Sequence, residues 1–198
     1  MIDSAIVTKT TLTQTLNFAV GSYRKKRFEK IIDRLSDGTI TISQSELHSD
    51  SFISCFLKTN EAIDKATSNK KIDALIQVFL SGLRTNLVLN LPDLFHEAIS
   101  IFSELSNREI IILEIARKYL PSSVGDNLVD KNNMAIEAIC TQLGVEKDLA
   151  YVLMSRLQRT GFIIDSAMLG DLRYFCKTAL LNEIYSYVDL KINSLGRA

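Results

Sequence analysis

Six cations stand close enough together in the chain to act on a phosphate. Arg24, Lys25, Lys26 and Arg27 form one run, and Arg156 and Arg159 stand three residues apart. Lys30 and Arg34 back the first run. On a helix these residues spread round most of the circumference, with Tyr23, Phe28 and Ile31 between them. That pattern fits a phosphate, a membrane surface or a partner helix. It also fits a solvated helix face on which Arg27 pairs with Glu29, Asp33 or another acid. A second candidate set is Lys147, Tyr151, Met154 and Gln158, the expected outward positions of a later helix. A Tyr and a Met on such a face suit a protein contact, or they pack on neighbouring elements.

Catalytic chemistry is poorly supplied. His48 and His96 fall on different expected helices, and a pair, or a zinc site with Cys55, requires the fold to bring them together. His96-Glu97 and Asp93 lack the HExxH spacing that sets two histidines on one helical face. No GxxxxGK[ST], GxGxxG or GxSxG occurs, so a nucleotide cradle and a nucleophile elbow are unsupported. Glu61, Asp64 and Asp73 are scattered among lysines, as surface ion pairs are. No catalytic, cofactor-binding or metal residue is assigned. The expectation is a non-enzyme without a cofactor, with a small enzyme lacking known motifs as the third reading.

Bulk composition bounds the rest. The 198 residues carry 23 Lys and Arg against 23 Asp and Glu, which argues against a strongly basic, non-specific nucleic-acid coat and against an acidic tail. The hydrophobic share of 46% is enough for a sizeable core. Only 8 Gly and 2 Pro occur, which points to a helix-rich chain. Cys55, Cys140 and Cys176 are far apart and match no metal spacing, so reduced thiols in a reducing compartment are expected. The first residues, MIDSAIVTKTT, hold no long apolar core. No run reaches the ~18 apolar residues of a membrane span; the richest, Ile72 to Leu83, contains Asp73, Gln77 and Ser81. Integral membrane insertion is not expected, and the cytoplasm is the expected location.

Apolar spacing of three and four predicts a helix from about Thr11 to Leu35, stopped at Asp37-Gly38. Thr39 to Ser43 reads as a short extended piece. Ser43-x-x-Glu46 is a capping box that opens one helix over about Gln44 to Ala66, with Phe52, Ile53, Phe56, Leu57 and Ile63 as its stripe. A third helix is expected from Lys70 to about Leu89. Gly82 lies inside it at a cost of roughly 1 kcal/mol relative to Ala, which suggests close packing of a neighbour. Pro92 starts a fourth. Ser106-x-x-Glu109, a second capping box, opens another over Asn107 to Leu120. A loop is expected from Pro121 to about Asn133, and then a helix over Met134 to Leu143 that ends at Gly144. Glu146 to Thr160 is read as a helix with Leu149, Val152, Leu153 and Leu157 inward. Phe162 to Ile164 and Leu172 to Cys176 are expected strands joined at Leu169-Gly170-Asp171, and Thr178 to Leu190 a closing helix. The tail from Asn193 to Ala198 is expected to fray.

The segment AIEAICTQLGVEKDLAYVLMSRLQRTGFIID, residues 135–165, resembles the helix-turn-helix and first strand of a winged-helix domain. Gly144-Val145 matches the turn, Glu146 to Thr160 the recognition-position helix, and Gly161-Phe162-Ile163 the strand that follows. The resemblance covers roughly Ser106 to Leu190 and implies binding to DNA, RNA or protein. Charge bears on that choice: Glu104 to Asp165 holds seven bases and nine acids, a poor supply for phosphates. Groove contacts fall at the N-terminal end of such a helix, and here that end is Glu146-Lys147-Asp148. The whole chain also resembles the abortive-infection-like helical proteins of bacteria and their mobile elements, whose function is unknown. Pro92 to Phe95, Glu104 to Glu109, Arg156 to Ile163 and the upstream KATSNKKIDALIQVFLSGL carry that resemblance. It implies a bacterial or phage-related origin and an interaction or defence role.

The expected architecture is mainly α: a helical N-terminal region over residues 1–103, a winged-helix domain over 104–192 and a tail over 193–198. The expected function is a non-enzymatic interaction or regulatory protein whose winged helix meets a protein partner, with a homodimer as one form. The alternative is a DNA-binding transcriptional regulator with Arg24 to Arg27, or Arg156 and Arg159, on phosphates.

Overall fold

The computed structural model describes residues 9–38, 40–125, 127–169 and 172–188; for residues 9–16, 167–169 and 172 it describes the backbone alone. The fold is mainly helical, with one two-stranded antiparallel sheet. Backbone contacts divide the chain between Ile42 and Ser43.

Among the described residues the first unit holds one helix, α1 (Lys9–Ser36), that stops before Asp37 and Gly38, where Gly38 takes a left-handed φ of 78°. The segment after it joins no sheet among the described residues: Ile40 is a bend, 41–43 lie outside helix and strand with Ser43 extended (φ −74°, ψ 159°), and Thr39 lies outside the described residues.

In the second unit the two capping boxes form as the sequence predicts. Ser43 opens α2 (Gln44–Leu47) and Ser106 opens α7 (Asn107–Tyr119), each hydroxyl accepting an N3 backbone N–H while the N3 glutamate accepts the cap's own. The long helix expected from Gln44 to Ala66 is instead two. Ser49 accepts the Phe52 N–H and donates its hydroxyl to the Glu46 carbonyl, which ends α2 and starts α3 (Asp50–Lys65). Of the expected stripe, Ile53 and Leu57 face solvent; Phe52, Cys55, Thr59, Ala62 and Ile63 are the buried positions. The helix expected from Lys70 to Leu89 is likewise broken. α4 (Asn69–Arg84) ends where Asn86 adopts φ 59°, and α5 (Leu87–Asn90) restarts after it. A left-handed residue cannot continue a right-handed helix.

Pro92 occupies the first turn of α6 (Pro92–Glu104), where its missing N–H has no intrahelical partner to lose. Helices α3, α4, α5 and α6 pack together around Phe79, whose ring lies 5.9 Å from Phe52, 6.0 Å from Phe56 and 5.9 Å from Phe95. Gly82 lets these helices approach closely: a Cβ at that position would stand 3.1 Å from the Phe95 ring and 3.2 Å from Val88, which would have to give way by a few tenths of an ångström. The phenyl of Phe102 on α6 then meets Phe162 at 6.1 Å and Tyr185 at 6.2 Å. The expected boundary at residues 103/104 therefore runs through one contact unit.

The loop expected up to Asn133 is shorter, because α8 (Leu128–Leu143) begins six residues before Met134. Asn132 lies on the added turn. It is buried, its Oδ1 accepts the Phe175 N–H at 2.8 Å, and its amide donates to the Phe175 carbonyl at 3.0 Å and the Leu128 carbonyl at 2.9 Å. That triple bond set stabilises the earlier start. Gly144 ends α8 at φ 63°. After it come α9 (Lys147–Leu157), a 3-10 turn over Gln158–Thr160, and Gly161 at φ 73°. Strands β1 (Ile163–Leu169) and β2 (Leu172–Lys177) pair antiparallel from Ile163 opposite Lys177 to Leu169 opposite Leu172, with an irregularity between Asp165 and Ala167. The turn residues Gly170 and Asp171 lie outside the described residues. Thr178 caps α10 (Ala179–Tyr187) by accepting the Leu181 N–H. The expected tail, 193–198, lies outside the described residues.

Candidate functional site

Helix α9 carries the candidate partner contacts, and its rotation decides which of them are available. Its buried positions are Ala150, Leu153, Met154 and Leu157. The outward stripe is Leu149, Val152 and Arg156, at steps of three and four. The sequence expectation placed Leu149 and Val152 inward and Met154 outward, and all three are reversed. Leu149 is 42% exposed, Val152 is 55% exposed and Met154 is fully buried. Two apolar stripes overlap in this segment, sharing Leu153 and Leu157, and they differ by about 70°, less than one residue of helical rotation. Periodicity alone cannot choose between them. Small Ala150 allows a close approach to the rest of the unit, and flexible Met154 fills the space beside it.

Of the remaining candidates, Lys147 is exposed, while Tyr151 and Gln158 are half-buried. Burial pushes the Tyr151 hydroxyl pKa up, with smaller contributions from Tyr174 and Cys140. The N-terminal end of α9 holds exposed Glu146 and Asp148. On β1, Ile164 is also exposed, and Asp165 pairs with Arg173 across the strands at 3.7 Å.

Arg156 and Arg159, candidate phosphate contacts, are both drawn to one carboxylate. Arg159 donates to Glu109 Oε1 at 2.5 Å and to the Arg156 carbonyl at 3.0 Å, and Arg156 reaches the same Oε1 at 3.5 Å. Glu109 is 1% exposed. Burial pushes its carboxyl up, but the hydrogen bonds from Arg159 and from the Ser106 backbone and hydroxyl outweigh that and hold it at about 2. The two guanidiniums thus neutralise a buried charge that would otherwise be costly. The capping role of Glu109 is legible from Ser106-x-x-Glu109, but no local pattern points to Arg156 and Arg159 as its partners.

Beside this pair lies a second buried polar group. Lys71 of α4 donates to the Phe102 carbonyl at 2.5 Å and to the Leu105 carbonyl, satisfying the C-terminal end of α6. Asn107 donates to Ser68, the cap of α4, at 2.9 Å. Burial lowers the Lys71 pKa to about 8, against an upward pull from Glu109.

The other candidate phosphate contacts sit on α1. Arg24, Lys25 and Lys26 are exposed. Lys25 pairs with Glu29 at 3.8 Å, and the Arg27 guanidinium lies over the Tyr23 ring at 3.8 Å. Arg27 itself is buried, 7% exposed, so this candidate phosphate contact is not presented to solvent as its three neighbours are.

The histidines and thiols are not brought into a site. His48 ends α2, His96 is on α6, and no group of three or more His, Cys, Asp or Glu side chains fit to hold a metal occurs among the described residues. Cys55 is buried with its Sγ 3.8 Å from the Val88 carbonyl, and burial pushes its thiol up to about 11. A small open cleft is lined, among the described residues, by Pro121, Ser122, Ser123, Gly125, Asn127, Leu128 and Lys131. No described helix is long and apolar enough to cross a membrane. Comparison with protein families, characterised proteins and solved structures finds no match.

Proposed function

We propose that residues 107–188 form a winged-helix module whose α9 makes a protein contact, in a non-enzymatic interaction or regulatory protein. The element order supports the first part: α7, α8, α9 and then the β1–β2 hairpin. The Lys177 N–H also donates to the Pro121 carbonyl at 2.9 Å, so the chain leaving α7 borders β2, as a short third strand does in such domains.

The single observation that carries the second part is the solvent-facing pair Leu149 and Val152 on the recognition-position helix. Apolar side chains there gain by desolvation against a protein surface and gain nothing from phosphate. Glu146 and Asp148 at the same end repel a duplex. Lys147 stands between them, and the two arginines at the other end, Arg156 and Arg159, already compensate Glu109. The resemblance to abortive-infection-like proteins extends this reading to a bacterial cytoplasmic setting, in phage defence or a mobile element.

The test has two arms. Fluorescence anisotropy with a random DNA duplex, at low and then physiological salt, is expected to show no binding that depends on α9. Micromolar or tighter binding that weakens with salt and is lost in Arg156→Gln/Arg159→Gln, with the fold intact by circular dichroism, overturns the reading in favour of the DNA regulator. In the second arm, light scattering and affinity co-purification compare the wild type with Leu149→Asp/Val152→Asp. A homodimer or a stoichiometric protein partner is expected to be retained by Lys131→Gln and lost in the double variant. Retention by the double variant as well removes α9 as the contact.

A further inference from the structure

The exposed residues of α9 follow a charge order along the helix. At 100° per residue, Leu149, Val152 and Arg156 fall within an arc of about 60°, so they share one face. The two apolar residues occupy its middle. Exposed Glu146 and Asp148 flank its N-terminal end, one on each side, and Lys147 falls on the opposite side of the helix. At the C-terminal end Arg156 and Arg159 share the one carboxylate of Glu109, so positive charge is left over. Arg156 reaches Glu109 through Nη2 alone, at 3.5 Å, and its side chain is 58% exposed. The donors of a guanidinium exceed that single contact. The face therefore reads acid, apolar, apolar, base from one end to the other.

We propose, resting on the reading of α9 as a protein contact, that this face docks α9 of a second copy of the chain, antiparallel across a two-fold axis. A two-fold contact sets the same surface on both sides, so the surface must complement itself. The charge order of α9 does so in the antiparallel orientation. With Leu149 opposite Val152 of the second copy, the axis passes midway between them. At 1.5 Å per residue, Glu146 then lies about 7 Å from the axis and Arg156 of the second copy about 8 Å, on the same side. Asp148 lies about 4 Å from it, also on that side. The long Arg156 side chain spans the 8–10 Å that separate packed helices. Symmetry repeats the acid–base contact at the other end. A parallel pairing would set acids on acids and Arg156 on Arg156. The opposed helix dipoles favour the antiparallel form as well. Glu109 already holds Arg156, so little ordering of that side chain is left for association. The helix has 11 residues, so the contact is small. A Kd of about 10 to 100 μM is expected for a contact of this size.

The experiment is sedimentation velocity of the full chain from about 1 to about 300 μM, a range that brackets this affinity. A monomer–dimer equilibrium is expected. Glu146→Lys/Asp148→Lys is expected to raise its Kd about tenfold or more, because both ends of the contact become cationic. Leu149→Asp/Val152→Asp is expected to abolish it, and Lys131→Gln to leave it unchanged. Arg156→Glu alone is also expected to be monomeric. An equimolar mixture of Arg156→Glu with Glu146→Lys/Asp148→Lys is expected to restore the dimer, since opposite charges then meet at both ends. Circular dichroism of each variant, matching the wild type, keeps the comparison on association. Where Arg156→Glu unfolds beside Glu109, the other two variants decide. A wild type that stays monomeric throughout overturns the proposal. So does a dimer indifferent to Glu146→Lys/Asp148→Lys, or a mixture of folded variants that stays monomeric. A monomeric chain that still retains a stoichiometric protein partner, lost in Leu149→Asp/Val152→Asp, overturns the second copy and leaves α9 as the contact. A monomeric chain with no partner that depends on those two residues overturns both.

Discussion

Arg156 and Arg159 of α9 and Arg24, Lys25 and Lys26 of α1 are the same chemistry in two environments. The first two share Glu109, which is almost wholly buried. The last three are exposed on a single helix, and Lys25 has Glu29, itself exposed, as its partner. What separates them is the acid. A buried carboxylate must be compensated, so it fixes its cations in place; an exposed one is solvated already and holds its partner weakly. The assignment of a cation to structure or to a ligand therefore follows from the burial of the nearest anion, which spacing in the sequence does not disclose.

The comparison is broken most directly at Glu109. Glu109→Ala removes the acid that offsets buried Lys71 and one arm of the capping box, and is expected to destabilise the protein by about 3 kcal/mol in chemical denaturation. A loss below about 0.5 kcal/mol would place Arg156 and Arg159 in the same class as the α1 cations. The next effect is that of Asn132→Leu, which leaves the Phe175 N–H and carbonyl without partners, and is expected to cost about 2 kcal/mol by the same measurement.

Acid sharpens the same contrast. The Glu109 pKa is held at about 2, below its ordinary value, so its contribution is fully present above about pH 4.5 and is lost as pH falls toward 2. Thermal midpoints measured between those limits are expected to fall more steeply in the wild type than in Glu109→Gln, and parallel curves would remove Glu109 as the source. On α9, Leu153→Ala is expected to cost about 3 kcal/mol and Leu149→Ala less than about 0.5 kcal/mol, which reads out the rotation of the helix. Equal losses would return Leu149 to the core. The smallest effect belongs to Lys25→Gln/Lys26→Gln, whose unfolding midpoint in denaturant is expected to stay within about 0.5 kcal/mol of the wild type.

Local rules were legible in the sequence. The capping boxes at Ser43 and Ser106, Pro92 in a first helical turn, and the stops at Gly144 and Gly161 each depend on a few adjacent residues. The breaks at Ser49 and Asn86 were less legible, because a serine or asparagine inside an apolar pattern is compatible with continuation. The early start of α8 was hidden for a different reason. Asn132 is stabilised by Phe175, 43 residues later, and no local signal encodes that pairing. The outward face of α9 was misread because Leu149 and Met154 are equally apolar, and only the surface opposite selects between them.

The Asn132 amide has a consequence for how the protein meets other chains. A two-stranded hairpin has two open rims, each offering unpaired backbone groups to any extended peptide. Along β2 the rim is occupied: Asn132 takes both backbone groups of Phe175, and Pro121 takes the N–H of Lys177. An incoming peptide therefore finds no ladder to extend at those positions of β2. The hairpin is shielded there from runaway edge-to-edge stacking of the kind that seeds fibrils, and recognition at that rim is left to side chains.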